Sequence, residues 1–263
     1  MEVFAPAKVN LALHVVGRRA DGRHELDSLV AFAQDLGDRL TLATGDGLAV
    51  TGPFAAGVPT DDRNLVRCAL AAAGALRSVV LEKNLPHQAG IGGGSSDAAA
   101  ALRAVGASVA LEDLMTIGAD LPVCLMARAA RMRGVGEQVE PIALPRLPAV
   151  LVNPGTAVPT GAVFKALVHR DNSPLPAMPS FPDVAAAIRW LRDRRNDLEP
   201  VARHLVPEIS SVLDAVTGTG AGFARMSGSG ATCFGLYESD DVARVAARKL
   251  ARPGWWAAAC TLA

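Results

Sequence analysis

The sequence is poor in lysine, poor in aromatic side chains and without an excess of either charge. Lysine plus arginine number 26 and aspartate plus glutamate 26, so the formal net charge is zero. That balance argues against a protein whose main work is nucleic-acid binding, which rests on surplus positive charge at phosphates. The lysines are Lys8, Lys83, Lys165 and Lys249, so Lys8 stands alone in the first eighty residues. Cys68, Cys124, Cys233 and Cys260 form no Cys-x-x-Cys pair and no Cys/His cluster at zinc spacing. This excludes a zinc module and fits a reducing cytoplasm. No apolar run is long enough to span a bilayer. Glu2, Lys8 and Asn10 break the pattern of a signal peptide, so a cytoplasmic chain with no membrane partner is expected.

What is present is an ordinary globular balance. The chain has 263 residues, 50% of them hydrophobic and 20% charged, enough to bury the core of one large domain or two modest ones. Val9, Leu11, Leu13 and Val15 alternate with Asn10, Ala12 and His14, the period of a strand. Gly17–Arg23 is polar and glycine-punctuated and predicts a loop. Leu26–Phe32, Asp38–Val50 and Val79–Leu81 predict further strands, and Asn64–Leu76 and Leu111–Ile117 predict helices. Pro122 predicts a break in the chain. Beyond Pro145–Pro148 the pattern predicts strands over Ala149–Val152, within Ala224–Tyr237 and over Trp255–Thr261. Helices are predicted over Asp183–Arg195, Pro207–Val216 and Asp240–Leu250. The class is α+β, divided into residues 1–147 and 148–263.

The segment Gly90-Ile91-Gly92-Gly93-Gly94-Ser95-Ser96-Asp97 precedes a run of strong helix formers. It is not a Walker loop, because no Lys-Ser/Thr follows the last glycine, and it is not the dinucleotide fingerprint. Its chemistry still suits phosphate. Glycines let backbone N–H groups approach an anion, and a helix start adds unpaired donors and the positive end of a dipole. Ser95 and Ser96 add hydroxyls. Read without function, the same segment is a flexible loop with a Ser/Asp cap, and Asp97 only complements the dipole.

Three separated segments carry a stronger signal together. They are Pro6-Ala7-Lys8-Val9-Asn10-Leu11 with Asp21-Gly22-Arg23-His24, the glycine segment, and Met226-Ser227-Gly228-Ser229-Gly230-Ala231-Thr232. With Arg63-Asn64-Leu65, Gly118-Ala119-Asp120-Leu121-Pro122, Arg133-Gly134-x-Gly136-Glu137, Pro159-Thr160, Phe164-Lys165 and Asn196-Asp197-Leu198-Glu199, they resemble the GHMP kinase superfamily in order along the chain. The resemblance implies a two-domain fold. Its N-terminal domain is like the second domain of ribosomal protein S5, and its C-terminal domain is ferredoxin-like.

The implied activity is ATP-dependent phosphorylation of the 2-hydroxyl of a methylerythritol unit carrying cytidine diphosphate, with Mg²⁺ as the accompanying ion. Another small-molecule kinase of the superfamily, of mevalonate or homoserine type, and an inactive nucleotide-binding module are the alternatives. The resemblance makes Asp120 the catalytic base and Lys8 its partner, and predicts that the two side chains meet. It places the ATP phosphates on Gly90, Ile91, Gly92, Gly93, Gly94, Ser95 and Ser96. It places the substrate on Asn10, Arg23, His24, Thr160 and Phe164. The family's Asp-Gly-Tyr-His pattern is broken here by Arg23. Its guanidinium can stack on the cytosine opposite Phe164, or turn to the diphosphate. Ser227–Gly230 is expected to wall the cleft, and Asn196–Glu199 to be structural or interdomain. The metal ligands and the oligomeric state stay unassigned.

Overall fold

A computed structural model describes residues 1–263. Two long strands, β1 (Glu2–Arg18) and β2 (His24–Ala43), form an antiparallel hairpin. The N-terminal half continues with β3 (Gly47–Thr51), α1 (Leu65–Ala72), β4 (Ser78–Glu82), α2 (Gly93–Val105), α3 (Leu111–Ile117), α4 (Leu121–Met126), β5 (Ala130–Gly134) and β6 (Gln138–Pro141). The second half comprises β7 (Leu147–Asn153), α5 (Thr160–Ala166), α6 (Val184–Arg192), α7 (Glu199–Leu205), α8 (Glu208–Gly218), β8 (Phe223–Met226), β9 (Cys233–Leu236), α9 (Asp240–Leu250) and β10 (Trp256–Leu262). The α+β class follows directly. The expected division after residue 147 meets the first residue of β7.

β2 is the hub. It pairs with β1, β4 and β5, and at Ala33 it meets Leu262 of β10. β10 in turn lies against β7, which carries β9 and then β8. One apolar core spans this junction, joining Val9, Leu11, Leu29 and Ile91 to Leu147, Leu151, Phe234 and Leu262.

The sequence pattern predicts two strands where β2 is one. Residues 33–37 look like a turn because they include Gln34, Asp35 and Gly37. They stay extended because they mark the point where β2 changes partner. The β1 pairing jumps from Pro6↔Gly37 to Lys8↔Phe32. In the gap, Phe32 and Ala263 exchange backbone hydrogen bonds, and Asp35 accepts from the Thr261 amide. The real turn comes later, between β2 and β3. The same bulge frees β1 for another neighbour: the Lys8 amide donates to Ile91 O at 2.9 Å, and Pro6 O accepts from Ser96 Oγ at 2.7 Å.

Other boundaries differ for local reasons. Asn64 caps α1 by accepting from the Val66 amide, and the helix stops at Ala72, short of Leu76. Pro122 does not break the chain but sits in the first turn of α4, where a missing N–H costs nothing. The capping Ser239 and the Asp240/Asp241 start give α9 the bounds predicted. β5, β6, α4, α5 and α7, each four to seven residues long, are not predicted by the sequence pattern.

Candidate active site

The glycine segment builds one wall of a cleft of about 790 Å³ lying where the two halves meet. Gly90 and Gly92 have φ of 75° and 63°, a region closed to most side chains. A Cβ on Gly90 would lie 2.6 Å from Ser227 O, and one on Gly92 3.0 Å from Lys8 Cε. Both must be glycine so that the chain can pass between β1 and the Ser227–Gly230 loop. α2 then starts at Gly93 with Gly92 as its left-handed cap and no side-chain cap. Gly93, Gly94 and Ser95 are therefore the first helical turn rather than a loop, and their free N–H groups border the cleft.

Two residues expected in the phosphate site turn away from it. Ile91 is buried in the shared core. Ser96 is fully buried, and its hydroxyl is spent on Pro6 O. Neither side chain is on the cleft wall. Asp97 does more than complement a dipole, because it is buried and ion-paired with Lys83.

Lys8 and Asp120 do meet. Lys8 Nζ is 2.9 Å from Asp120 Oδ2, with the lysine side chain 4% exposed and the aspartate side chain 30% exposed. Asp120 precedes α4 at the N-cap position yet makes no capping bond, so its carboxylate stays with Lys8. Lys8 Nζ also donates to Asn10 Oδ1 at 2.9 Å, and Asn10 Nδ2 donates to Ser28 Oγ at 2.7 Å. Asn10 lines the cleft, but its side chain is engaged in holding Lys8.

The second half closes the other side. Thr160 and Phe164 of α5 and Gly228 and Ser229 line the cleft. Thr160 Oγ1 and Ser229 Oγ share a hydrogen bond of 2.8 Å. Ser227 Oγ accepts from the Asn10 amide and donates to Gly90 O, stitching β1, the glycine segment and the C-terminal half at one hydroxyl. Asn196 Nδ2 donates to Met226 O and Gly228 O, and Asp197 accepts from the Val15 amide. The Asn196–Glu199 motif therefore clamps the cleft wall to β1.

His24 stacks on Phe164, with ring centroids 4.9 Å apart and planes at 25°. Its Nε2 is buried without a partner. Burial, aided by Arg170 and Arg18, lowers the His24 pKa and keeps the ring neutral. Arg23 is placed differently from expectation. Its guanidinium is exposed and bonded to Asp21 at 2.8 Å, and it is not on the cleft wall. The residue follows a tight turn at Gly22, and the neighbouring carboxylate takes its side chain first.

Sequence reasoning missed Asp38, Lys83 and Asp97, which meet beneath Gly93. The one signal was Lys83 itself, a rare lysine directly after an apolar strand.

A cleft between two such halves, with a helix nose on one side and a lysine–carboxylate pair beside it, defines a small-molecule kinase of the GHMP type. Sequence comparison agrees. The pattern for "GHMP kinases N terminal domain" matches residues 64–128, and that for "GHMP kinases C terminal" matches 164–254. A 4-diphosphocytidyl-2-C-methyl-D-erythritol kinase from Dinoroseobacter shibae is 54% identical, covering 98% of this chain and 94% of its own. One from Paracoccus denitrificans is also 54% identical, covering 98% and 96%. A crystal structure of 4-(cytidine 5'-diphospho)-2C-methyl-D-erythritol kinase superposes with a TM-score of 0.79 at 41% identity, covering 100% of this chain and 99% of that one. Mevalonate kinase from L. major shares the fold, with a TM-score of 0.63 at 17% identity, covering 99% of this chain and 95% of that one. The chain belongs to the 4-diphosphocytidyl-2-C-methyl-D-erythritol kinase family of the GHMP kinases. It is a kinase acting on an alcohol group, with ATP as phosphate donor.

Proposed function

We propose that the chain transfers the γ-phosphoryl group of ATP to the 2-hydroxyl of 4-diphosphocytidyl-2-C-methyl-D-erythritol, a step of non-mevalonate isoprenoid precursor synthesis. The Lys8–Asp120 pair, set beside the α2 nose in one cleft, carries this reading. Asp120 orients the accepting hydroxyl and takes its proton, and Lys8 holds the carboxylate in place. The amides of Gly92–Ser95 hold the phosphates at the start of α2. His24 itself is not on the cleft wall, but it backs Phe164, whose ring lines the cleft and offers a flat face for cytosine. Thr160 supplies a hydroxyl across the cleft.

No group of three acidic, His or Cys side chains able to hold a metal is present. Mg²⁺ would accompany the nucleotide and neutralise charge on its phosphates. Residues 1–147 are assigned as the ATP-binding and catalytic part, and 148–263 as the opposite wall. No helix is long and apolar enough to cross a membrane, and the cytoplasm is the proposed location. The test is ATP turnover with the cytidylylated substrate, mevalonate and homoserine in parallel. Turnover with the first alone is expected. Turnover with mevalonate or homoserine and not with the cytidylylated compound overturns the reading.

A further inference from the structure

The most deeply buried charges beneath the cleft take no part in the steps above. Asp38 on β2, Lys83 just after β4 and Asp97 on α2 are 0%, 2% and 2% exposed. Lys83 Nζ bonds Asp97 Oδ2 at 2.8 Å and also bonds Asp38 Oδ2. The other Asp38 oxygen accepts from the Asn84 and Leu85 amides at 2.6 and 2.9 Å, so Asp38 is fully partnered. Asp97 Oδ1 is buried and has no partner.

Two ionised carboxylates on one ammonium would leave an uncompensated negative charge in the interior, and such a charge is costly. The position makes that charge matter. The cluster lies under Gly93, where an added Cβ would come 3.4 Å from Lys83 Nζ and 3.8 Å from Asp38 Oδ2. Lys83 and Asp97 both belong to the cleft wall. They stand before and after the glycine segment, so the cluster ties both of its ends to β2.

We propose that Asp38, Lys83 and Asp97 form a clasp that positions the glycine segment for the ATP phosphates, with Asp97 serving as a neutral carboxyl. The inference rests on the reading that this segment holds those phosphates. With Asp97 neutral, Lys83 is balanced by Asp38 alone, and an anion at the α2 nose meets no net negative charge below it. An ionised Asp97 opposes the helix end that attracts the anion.

Burial raises the Asp97 carboxyl to about 8, against Lys83 and with Asp38 adding to the rise. Of the groups around it, His87 is held low by burial and by Lys83, and Cys124 on α4 is pushed up by burial. Cys124 in turn feels Asp120, Lys8 and Arg103. Neither His87 nor Cys124 changes charge across the alkaline range in which Asp97 does.

The test is calorimetric titration of the full chain with ATP from about pH 7.5 to about pH 9.5, where the phosphates are already ionised. The expected result is a Kd for ATP that weakens about tenfold across this range, as one charge appears near the bound anion. In Asp97→Asn the dependence disappears. A flat wild-type profile, or an Asp97→Asn profile with the wild-type slope, overturns the inference. The wild-type profile decides alone if the variant does not fold. Absence of ATP binding at every pH instead overturns the phosphate-site reading, and the clasp with it.

Discussion

Lys8 Nζ stands 2.9 Å from Asp120 Oδ2 and equally 2.9 Å from Asn10 Oδ1. The ammonium is thus fixed between a carboxylate that faces the cleft and an amide that is itself anchored on Ser28. If Asp120 takes the proton, Asp120→Asn lowers kcat by about 10²–10⁴-fold, the usual worth of general base catalysis. ATP affinity, read by calorimetry, changes far less than kcat. Near-normal turnover removes Asp120 from this role.

Asn10 separates positioning from base recognition. Loss of its bond to Lys8 in Asn10→Leu is worth about 1 kcal/mol or somewhat more, near tenfold in rate. The expected loss is in kcat, with a smaller change in the KM of the cytidylylated substrate. A loss confined to KM would place Asn10 on the substrate instead.

Arg23 and Phe164 give opposite expectations. Arg23 is exposed and satisfied by Asp21, so Arg23→Ala leaves the substrate KM within about twofold. Phe164 lines the cleft and stacks on His24, so Phe164→Ala raises that KM about tenfold or more. Steady-state kinetics on both variants decides. A large KM rise in Arg23→Ala means that the guanidinium leaves Asp21 for the ligand.

Asp97 should also be visible in stability. Its carboxyl titrates near 3.8 when unfolded and at about 8 when folded. Between those values the folded chain holds the extra proton, so stability falls as pH rises through the window and levels above it. Asp97→Asn carries no such slope. Calorimetric melting should show its Tm advantage over wild type growing from about pH 5 to about pH 8 and then holding constant. A pH-independent difference would show that Asp97 titrates like a free carboxyl.

Asn196 is buried and holds the cleft-wall loop of the second half through Met226 O and Gly228 O. Asn196→Ala leaves two carbonyls without their donor and costs about 1–3 kcal/mol. The measure is the denaturation midpoint in urea. A change below about 0.5 kcal/mol would mean that water replaces the amide.

Some of this was legible in the sequence because the signals were local. α9 is predicted over Asp240–Leu250 from its own residues, and its start is fixed locally by Ser239, Asp240 and Asp241; the Lys8 and Asp120 motifs pointed to each other. The rest depended on partners far away in the chain. Residues 33–37 carry turn-like chemistry, and they extend only because β10 arrives beside them some 230 residues later. Ser96 looks like its neighbour Ser95 in a motif, but the helical register set by Gly92 turns it inward to Pro6. Asp38, Lys83 and Asp97 carry no shared spacing at all, and they meet only once β2, β4 and α2 are assembled. Arg23 stands where the family has tyrosine, and its side chain turns away from the cleft because Asp21 lies two residues away.

The partner change along β2 bears on how the molecule comes apart. Leu29 and Val9 share a core with Leu147 and Leu262, and the chain directly after β10 bonds β2 through Phe32 and Ala263. The two halves are therefore expected to lose structure in one cooperative event, with coincident transitions by every probe. Separate fragments cut at 147/148 would each expose half of a shared interior and should not fold by themselves.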